Sequence, residues 1–126
     1  MNKPVINIKN LNVDYITDKN PINAVRDVTF EIFSGEIFGL VGESGSGKST
    51  VVQAMMRILP PPAIISKGEV IINNEDILAS SSLDVVGMRW KKISIVMQSA
   101  LNALNPVLSI REQIHDVLKT HKNLIG

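Results

Sequence analysis

The chain opens with apolar residues at alternate positions, a pattern typical of strands that bury one face. Residues 6–15 carry this alternation, and residues 28–32 repeat it. Between them, the polar segment 17–23 predicts a loop, and Ser34-Gly35 predicts a turn. The opening third therefore predicts an antiparallel sheet with one buried face.

The pattern changes at residue 37. Residues 37–41 are almost continuously apolar, which predicts a strand buried on both faces. A glycine-rich loop follows at 42–47, and helical spacing of apolar residues predicts a helix over 48–59, stopped by the prolines at 60–62. A buried strand, a glycine loop and a helix in this order are typical of a parallel α/β core.

The rest of the chain predicts shorter elements. We expect a hairpin or strand and turn over 68–77, a short helix over 83–92 and a second core strand over 93–97. Ser109 and Glu112 have the spacing of a capping box, which predicts the start of a further helix. The apolar face of that helix would consist of Ile110, Ile114, Val117 and Leu118.

Composition removes several classes of protein. The chain has 126 residues, enough for one domain, and its 44% apolar and 20% charged content is that of a globular protein. A net charge of +1 and few aromatic residues argue against nucleic-acid binding. The absence of cysteine excludes a disulfide scaffold, a thiol nucleophile and a zinc finger. With neither a membrane-spanning apolar run nor a signal peptide, a cytoplasmic protein is expected.

The candidate chemistry lies in residues 42–49, which match the pattern G-x-x-x-x-G-K-[ST] in full. Glycines let successive backbone N–H groups point inward at a polyphosphate, and the N-terminus of the following helix adds partial positive charge. Lys48 would reach the β- and γ-phosphates, and the Ser49 hydroxyl would ligate Mg²⁺. A dinucleotide-binding fingerprint does not fit, because Thr50 occupies the place of its third glycine.

Three groups of residues resemble the ATP-binding subunits of ABC transporters. They are residues 24–30, residues 39–50, and Met97-Gln98 followed by Leu104-Asn105-Pro106. The Glu43-Ser44 form of the loop resembles the branch that imports peptides or nickel. The resemblance covers essentially the whole chain.

The resemblance implies an α/β fold, with a P-loop NTPase core beside an antiparallel β-subdomain and the chain ending within the helical subdomain. Residues 1–126 would form a partial ABC nucleotide-binding domain. Within it, 1–35 would be mainly β-subdomain, 36–98 the core from the Walker A loop to the Q-loop, and 99–126 the start of the helical subdomain.

The resemblance also assigns roles to single residues. Tyr15 corresponds to the aromatic residue that stacks on adenine. Gln98 corresponds to the glutamine that touches Mg²⁺ and the attacking water and that links nucleotide state to the membrane subunits, although Ser99-Ala100 follows it where Asp-Pro is common. Lys48 and Gln98 are thus the expected catalytic residues, and Ser49 and Gln98 the expected Mg²⁺ ligands. The expected ATP-binding residues are Tyr15, Gly42, Glu43, Ser44, Gly45, Ser46, Gly47, Lys48, Ser49 and Thr50.

Other motifs of the family are not found in this sequence. It has no Leu-Ser-Gly-Gly-Gln signature, no apolar strand ending in the Asp-Glu pair of a Walker B motif, and no switch histidine after such a strand. We therefore expect the N-terminal half of a nucleotide-binding subunit, which binds ATP and Mg²⁺ but turns over negligibly alone. An unpaired apolar strand at 37–41 would further predict low stability, or an oligomer that covers it.

The implied function is an ATPase that powers import of peptides or a similar small solute. The implied partners are transmembrane permease subunits, a second ATP-binding subunit and, indirectly, a solute-binding protein, with no nucleic acid. The implied location is cytoplasmic, at the inner face of the cell membrane. Two alternatives stay open: a different P-loop enzyme such as a small kinase or GTPase, and a non-catalytic module that binds nucleotide or a membrane subunit.

Overall fold

The structure is a computed structural model that describes residues 2–99 and 102–122. Contacts divide the chain into two compact units, Met1–Val85 and Val86–Gly126. A four-stranded sheet lies in the first unit, and the longest of the helices lies in the second. The elements are β1 (Ile6–Tyr15), β2 (Ile22–Ile32), α1 (Lys48–Met55), β3 (Ala63–Ile72), β4 (Glu75–Asp76), α2 (Ser82–Met88) and α3 (Ile110–Lys122).

The sheet has the strand order β2-β1-β3-β4, and every neighbouring pair is antiparallel. β1 lies in the centre, where Ile6 pairs with Ile32 on one side and Ile72 on the other. β3 turns into β4 through Asn73 and Asn74, whose φ angles of 50° and 66° are those of a two-residue hairpin turn. The predicted antiparallel sheet and the predicted hairpin are confirmed.

An extra residue in β1 interrupts its alternation. Ile8 pairs with Phe30 but Leu11 pairs with Val28, so three steps along β1 match two along β2. The same shift occurs against β3, and Asn10 at its centre has a φ of 48°. This bulge turns both Ile8 and Leu11 into the core, where each is fully buried, although their spacing is odd.

α1 packs against the sheet and ends earlier than predicted. The helix stops at Met55, and two residues later Arg57 adopts a φ of 50°, which ends the helical path before the prolines are reached. The Arg57 guanidinium donates hydrogen bonds to the carbonyl oxygens of Ile77 at 3.2 Å and Ser80 at 2.8 Å. The buried apolar side chains of this unit include Ile8, Leu11, Val13, Val25, Val51, Ala54, Met56, Ala63, Val70, Ile72 and Ile77.

Two predicted core strands are not present in the structure. Residues 37–41 are neither helix nor strand, and Ile37 and Val41 are 99% and 94% exposed. Residues 93–97 make only an isolated bridge between Ile93 and Arg89, and Val96 is 95% exposed. A strand buried on both faces needs hydrogen-bonded neighbours, and no segment within the described ranges pairs with 37–41 as a strand.

The two later helices follow the sequence prediction more closely. α2 occupies Ser82–Met88, shorter than the predicted 83–92, and the Ser81 hydroxyl accepts a hydrogen bond from the Asp84 amide at 3.2 Å. α3 begins directly after Ser109, as predicted. Ser109 and Glu112 form the reciprocal hydrogen bonds of a capping box, at 2.8 Å and 3.2 Å. Hydrogen bonds from the Ser109 hydroxyl and the Ser109 amide lower the pKa of Glu112 below its ordinary 4.5.

The expected apolar face of α3 does not form part of a core in the described residues. Ile110 and Ile114 are 63% and 56% exposed, and Leu118 is also exposed. Val117 is half-buried. The helical spacing of these residues correctly predicts the helix, but not the burial of its apolar side.

Candidate functional site

The glycine-rich loop of residues 42–47 leads directly into α1, as the sequence predicts. Gly47 is the N-cap of the helix, with a left-handed φ of 94° and no side-chain cap. The first helical hydrogen bond joins the Val51 amide to the Gly47 carbonyl oxygen at 3.0 Å. The amides before Val51 have no acceptor within the helix, so this end of α1 presents N–H groups to an anion.

The Lys48 side chain turns back into the loop. Its ammonium donates hydrogen bonds to the carbonyl oxygens of Gly42 and Glu43, and a longer one of 3.3 Å to the Ser46 hydroxyl. The positive charge is thus held against the first two residues of the loop, beside the N-terminus of α1. Both the cation and the helix terminus favour an anionic ligand at this place.

A close backbone contact seats the loop on the sheet. A Cβ added at Gly47 would lie 2.8 Å from the carbonyl oxygen of Ala24 in β2, and 3.4 Å from a methyl carbon of Val25. Only glycine combines this approach with a φ of 94°. The position of the glycine-rich loop is therefore set by β2 as well as by α1.

Tyr15 lies at the end of β1 in the same unit. It is half-buried and pairs with Ile22 of β2 and Ala63 of β3. Ile22 is two residues along β2 from Ala24, the residue against which the loop rests. The end of β1 that carries Tyr15 and the glycine-rich loop thus adjoin positions of β2 only two residues apart, although they are far apart in sequence.

The predicted metal ligands lie in different units. Ser49 is exposed next to Lys48 at the start of α1, where its hydroxyl is the kind of oxygen donor that Mg²⁺ accepts. Gln98 lies in the second unit, exposed, in a segment that is neither helix nor strand. No group of three or more His, Asp or Glu side chains suited to a metal ion occurs among the residues described.

In the second unit, α3 organises the segment that follows Gln98. The Gln113 side-chain amide accepts from the Asn105 backbone amide at 2.9 Å and donates to the carbonyl oxygens of Asn105 and Leu108, both at 3.0 Å. The Leu104-Asn105-Pro106 motif is therefore held to the first turns of α3. Of the Ser99-Ala100 pair that follows Gln98, Ala100 lies outside the described residues.

Sequence reasoning missed a polar cluster formed by Asp14 of β1 with Asn23 and Arg26 of β2. The Asn23 side-chain amide donates to Asp14 Oδ1 at 2.7 Å, and its oxygen accepts from Arg26 Nε at 3.2 Å. In the sequence these residues are ordinary polar positions of a strand and a loop. Asn23 and Arg26 are three residues apart in β2, and the register of β1 with β2 brings Asp14 to them.

Comparison with known proteins places these features in a family. A sequence model described as ABC transporter matches residues 25–124. The dipeptide transport ATP-binding protein DppD of Bacillus subtilis (strain 168) is 37% identical over 121 residues, covering 95% of this chain and 36% of that protein.

Two further relatives agree with this match. The oligopeptide transport ATP-binding protein OppD of Bacillus subtilis (strain 168) is 33% identical over 121 residues, covering 95% of this chain and 34% of that protein. The dipeptide transport ATP-binding protein DppD of Caldanaerobacter subterraneus subsp. tengcongensis is 32% identical over 117 residues, covering 93% of this chain and 36% of that protein. The chain spans about a third of the length of these relatives. In the part of the chain that the structure describes, no helix has the length and apolar character needed to cross a membrane.

Proposed function

Because the chain belongs to the ABC transporter family and is homologous to the ATP-binding proteins of peptide importers, we propose that it binds ATP at residues 42–50. The observation that carries this proposal is the position of the Lys48 ammonium, held at the loop mouth beside the unpaired amides of α1. Phosphate oxygens would replace the carbonyl oxygens of Gly42 and Glu43 as partners of that ammonium. Charge-assisted hydrogen bonds to phosphate are stronger than bonds to neutral carbonyls, which favours the exchange.

Each predicted site residue has a role in this proposal. Lys48 neutralises the β- and γ-phosphates, the loop amides bind phosphate oxygens, and Tyr15 stacks on the adenine. Ser49 and Gln98 are proposed as the ligands of Mg²⁺. Mg²⁺ held by these residues would supply positive charge that neutralises the phosphates, including the charge that develops during transfer. Gln98 also orients the attacking water and transmits the nucleotide state to the membrane subunits.

The proposed domain organisation follows from these roles. Residues 1–35 form mainly the β-subdomain, 36–98 the region from the phosphate loop to Gln98, and 99–126 the start of the helical subdomain. The antiparallel pair of β1 and β2 supports the first assignment. The glycine loop leading into α1 supports a P-loop NTPase core for the second.

Calorimetric titration tests the nucleotide proposal directly. The chain is expected to bind ATP saturably in the presence of Mg²⁺ and to bind AMP far more weakly, because AMP lacks the phosphates that Lys48 and the loop amides recognise. Equal affinity for AMP and ATP would contradict a role for the loop. Failure to bind either nucleotide would contradict the proposal as a whole.

We propose further that the whole protein couples ATP hydrolysis to the import of peptides or a similar small solute. The relatives named for dipeptide and oligopeptide transport support this substrate class. The proposed partners are transmembrane permease subunits, a second ATP-binding subunit and, through the permease, a solute-binding protein. The proposed location is the cytoplasmic face of the cell membrane.

Affinity purification tests the partner proposal. When the whole protein is tagged and purified from solubilised membranes, integral membrane subunits are expected to accompany it, because an importer ATPase acts only when docked on its permease. A tagged protein carrying Lys48→Ala is a suitable control, since it should still reach the membrane. Recovery without any membrane subunit would contradict the import role while leaving ATP binding intact.

A further inference from the structure

Asn23 occupies the centre of a hydrogen-bond network at the end of β1 that carries Tyr15. Its side-chain amide donates to Asp14 Oδ1 at 2.7 Å and to the Val25 carbonyl oxygen at 3.0 Å. Its side-chain oxygen accepts from Arg26 Nε at 3.2 Å. One side chain thus joins β1 to two positions of β2.

Asp14 is in turn held from both neighbouring strands. The Ser66 hydroxyl of β3 and the Asn23 amide of β2 hydrogen bond to its carboxylate, and these bonds lower the pKa of Asp14 below its ordinary 3.8. The carboxylate is ionised at neutral pH, as an aspartate with its ordinary pKa also is. A charged acceptor makes the bond from Asn23 stronger than one between neutral groups.

The network encloses a bulge in β2. Val13 pairs with Val25, but Asp14 pairs with Asn23, so Ala24 has no partner in β1. The Asn23 side chain bonds both to Asp14 of β1 and to the carbonyl oxygen of Val25, the residue after Ala24. It therefore spans the bulge. Bulges of this kind redirect the backbone locally, and the direction depends on what holds them.

The bulged residue is the one on which the phosphate loop rests. A Cβ at Gly47 would lie 2.8 Å from the Ala24 carbonyl oxygen, so there is no free space between the bulge and the loop. On the other side of the bulge, Asp14 is the immediate neighbour of Tyr15. A shift of Ala24 would therefore change the distance between the loop and the strand end that carries Tyr15.

We infer that Asn23 is a positioning residue for nucleotide binding. By hydrogen bonding across the Ala24 bulge to Asp14, it sets the spacing between Tyr15 and the phosphate loop. This inference rests on the proposed ATP site. Asn23 then contributes to the preference of that site for a nucleoside triphosphate over inorganic polyphosphate, because only the nucleotide contacts both Tyr15 and the phosphate loop.

Titration of the chain with ATP and with tripolyphosphate, each with Mg²⁺, separates the two ends of the site. Asn23→Ala is expected to weaken ATP binding by about fivefold to tenfold, the effect of losing one or two hydrogen bonds that orient a contact. Tripolyphosphate reaches only the loop, so its affinity is expected to change by less than about twofold. The readout is the ratio of ATP affinity to tripolyphosphate affinity, which a general loss of folded protein does not change.

The chain offers a matched control and a conservative variant. The Asn7 side chain makes a similar bond to Glu31 at 2.9 Å, between the same two strands but at the opposite end of the sheet, and Asn7→Ala is expected to leave the ratio unchanged. Asp14→Ala should lower the ratio as Asn23→Ala does. Asp14→Asn keeps an acceptor oxygen for the Asn23 amide and should leave the ratio of ATP affinity to tripolyphosphate affinity near that of the unaltered chain.

A double-mutant cycle with Tyr15→Ala shows whether Asn23 acts through the tyrosine. If it does, Asn23→Ala should have little further effect on ATP binding once the ring is gone. Equal losses for ATP and tripolyphosphate, an unchanged ratio, or additive effects with Tyr15→Ala would each overturn the inference. If the unaltered chain binds neither ligand, the proposed ATP site itself fails, which is a different result from an altered ratio.

Discussion

Replacing Lys48 with alanine is expected to weaken ATP binding by about 10- to 100-fold, because a charge-assisted hydrogen bond to phosphate contributes roughly 1.5–3 kcal/mol. The ammonium already lies at the mouth of the loop, bonded to the carbonyl oxygens of Gly42 and Glu43. Little rearrangement is needed to deliver it to a phosphate. Titration with a fluorescent ATP analogue in the presence of Mg²⁺ measures the effect.

Two further variants separate the position of Lys48 from its charge. Lys67 is exposed on β3, and Lys67→Ala removes the same charge away from the loop, so ATP affinity should be unchanged. Lys48→Arg keeps the charge but places a wide planar group in a loop that holds a compact ammonium, so an intermediate loss is expected. Wild-type affinity in Lys48→Ala would show that the loop does not bind the phosphates.

Replacing Gly68 with alanine is expected to lower the free energy of unfolding by roughly 2–4 kcal/mol, from backbone strain and overpacking together. Gly68 has a φ of 112°, and an added Cβ would lie 2.7 Å from the Asn10 carbonyl oxygen and the Leu11 Cα. Both contacts are with backbone atoms of the β1 bulge, which cannot rotate away. Urea denaturation followed by circular dichroism measures the change.

Gly39→Ala is the matched control for this prediction. At Gly39 a Cβ would meet nothing within 4 Å, so the same chemical change should shift the urea midpoint only slightly. Similar midpoints for the two variants would contradict the close approach of Gly68 to the β1 bulge. A lower midpoint in Gly68→Ala alone would confirm that the central bulge is part of the folded sheet.

Local chemistry explains the elements that the sequence predicts correctly. The capping box at Ser109 and Glu112 starts α3, and Asn73-Asn74 turns β3 into β4. In each case the residues that determine the backbone lie within a few positions of one another, so their spacing is visible in the sequence. The glycine-rich motif of residues 42–49 belongs to the same class, since its loop and the first turn of α1 are contiguous.

Elements that need distant partners are predicted less well. Residues 37–41 have the composition of a buried strand, but a strand forms only where another strand can accept its hydrogen bonds. None does so in the described part of the chain, and Ile37 and Val41 stay in solvent. The apolar segment 93–97 behaves in the same way, with a single bridge to Arg89. Composition here indicates what could be buried, not what is.

The sequence by itself determines the glycine-rich motif with its Lys48 and Ser49, the antiparallel character of the opening strands and the family. The tertiary structure decides how these parts are placed: the β1 bulge that buries both Ile8 and Leu11, and the β2 bulge that sets Ala24 against Gly47. Bulges depend on the register between strands, and register is fixed by the packing of the whole sheet rather than by any short stretch of residues.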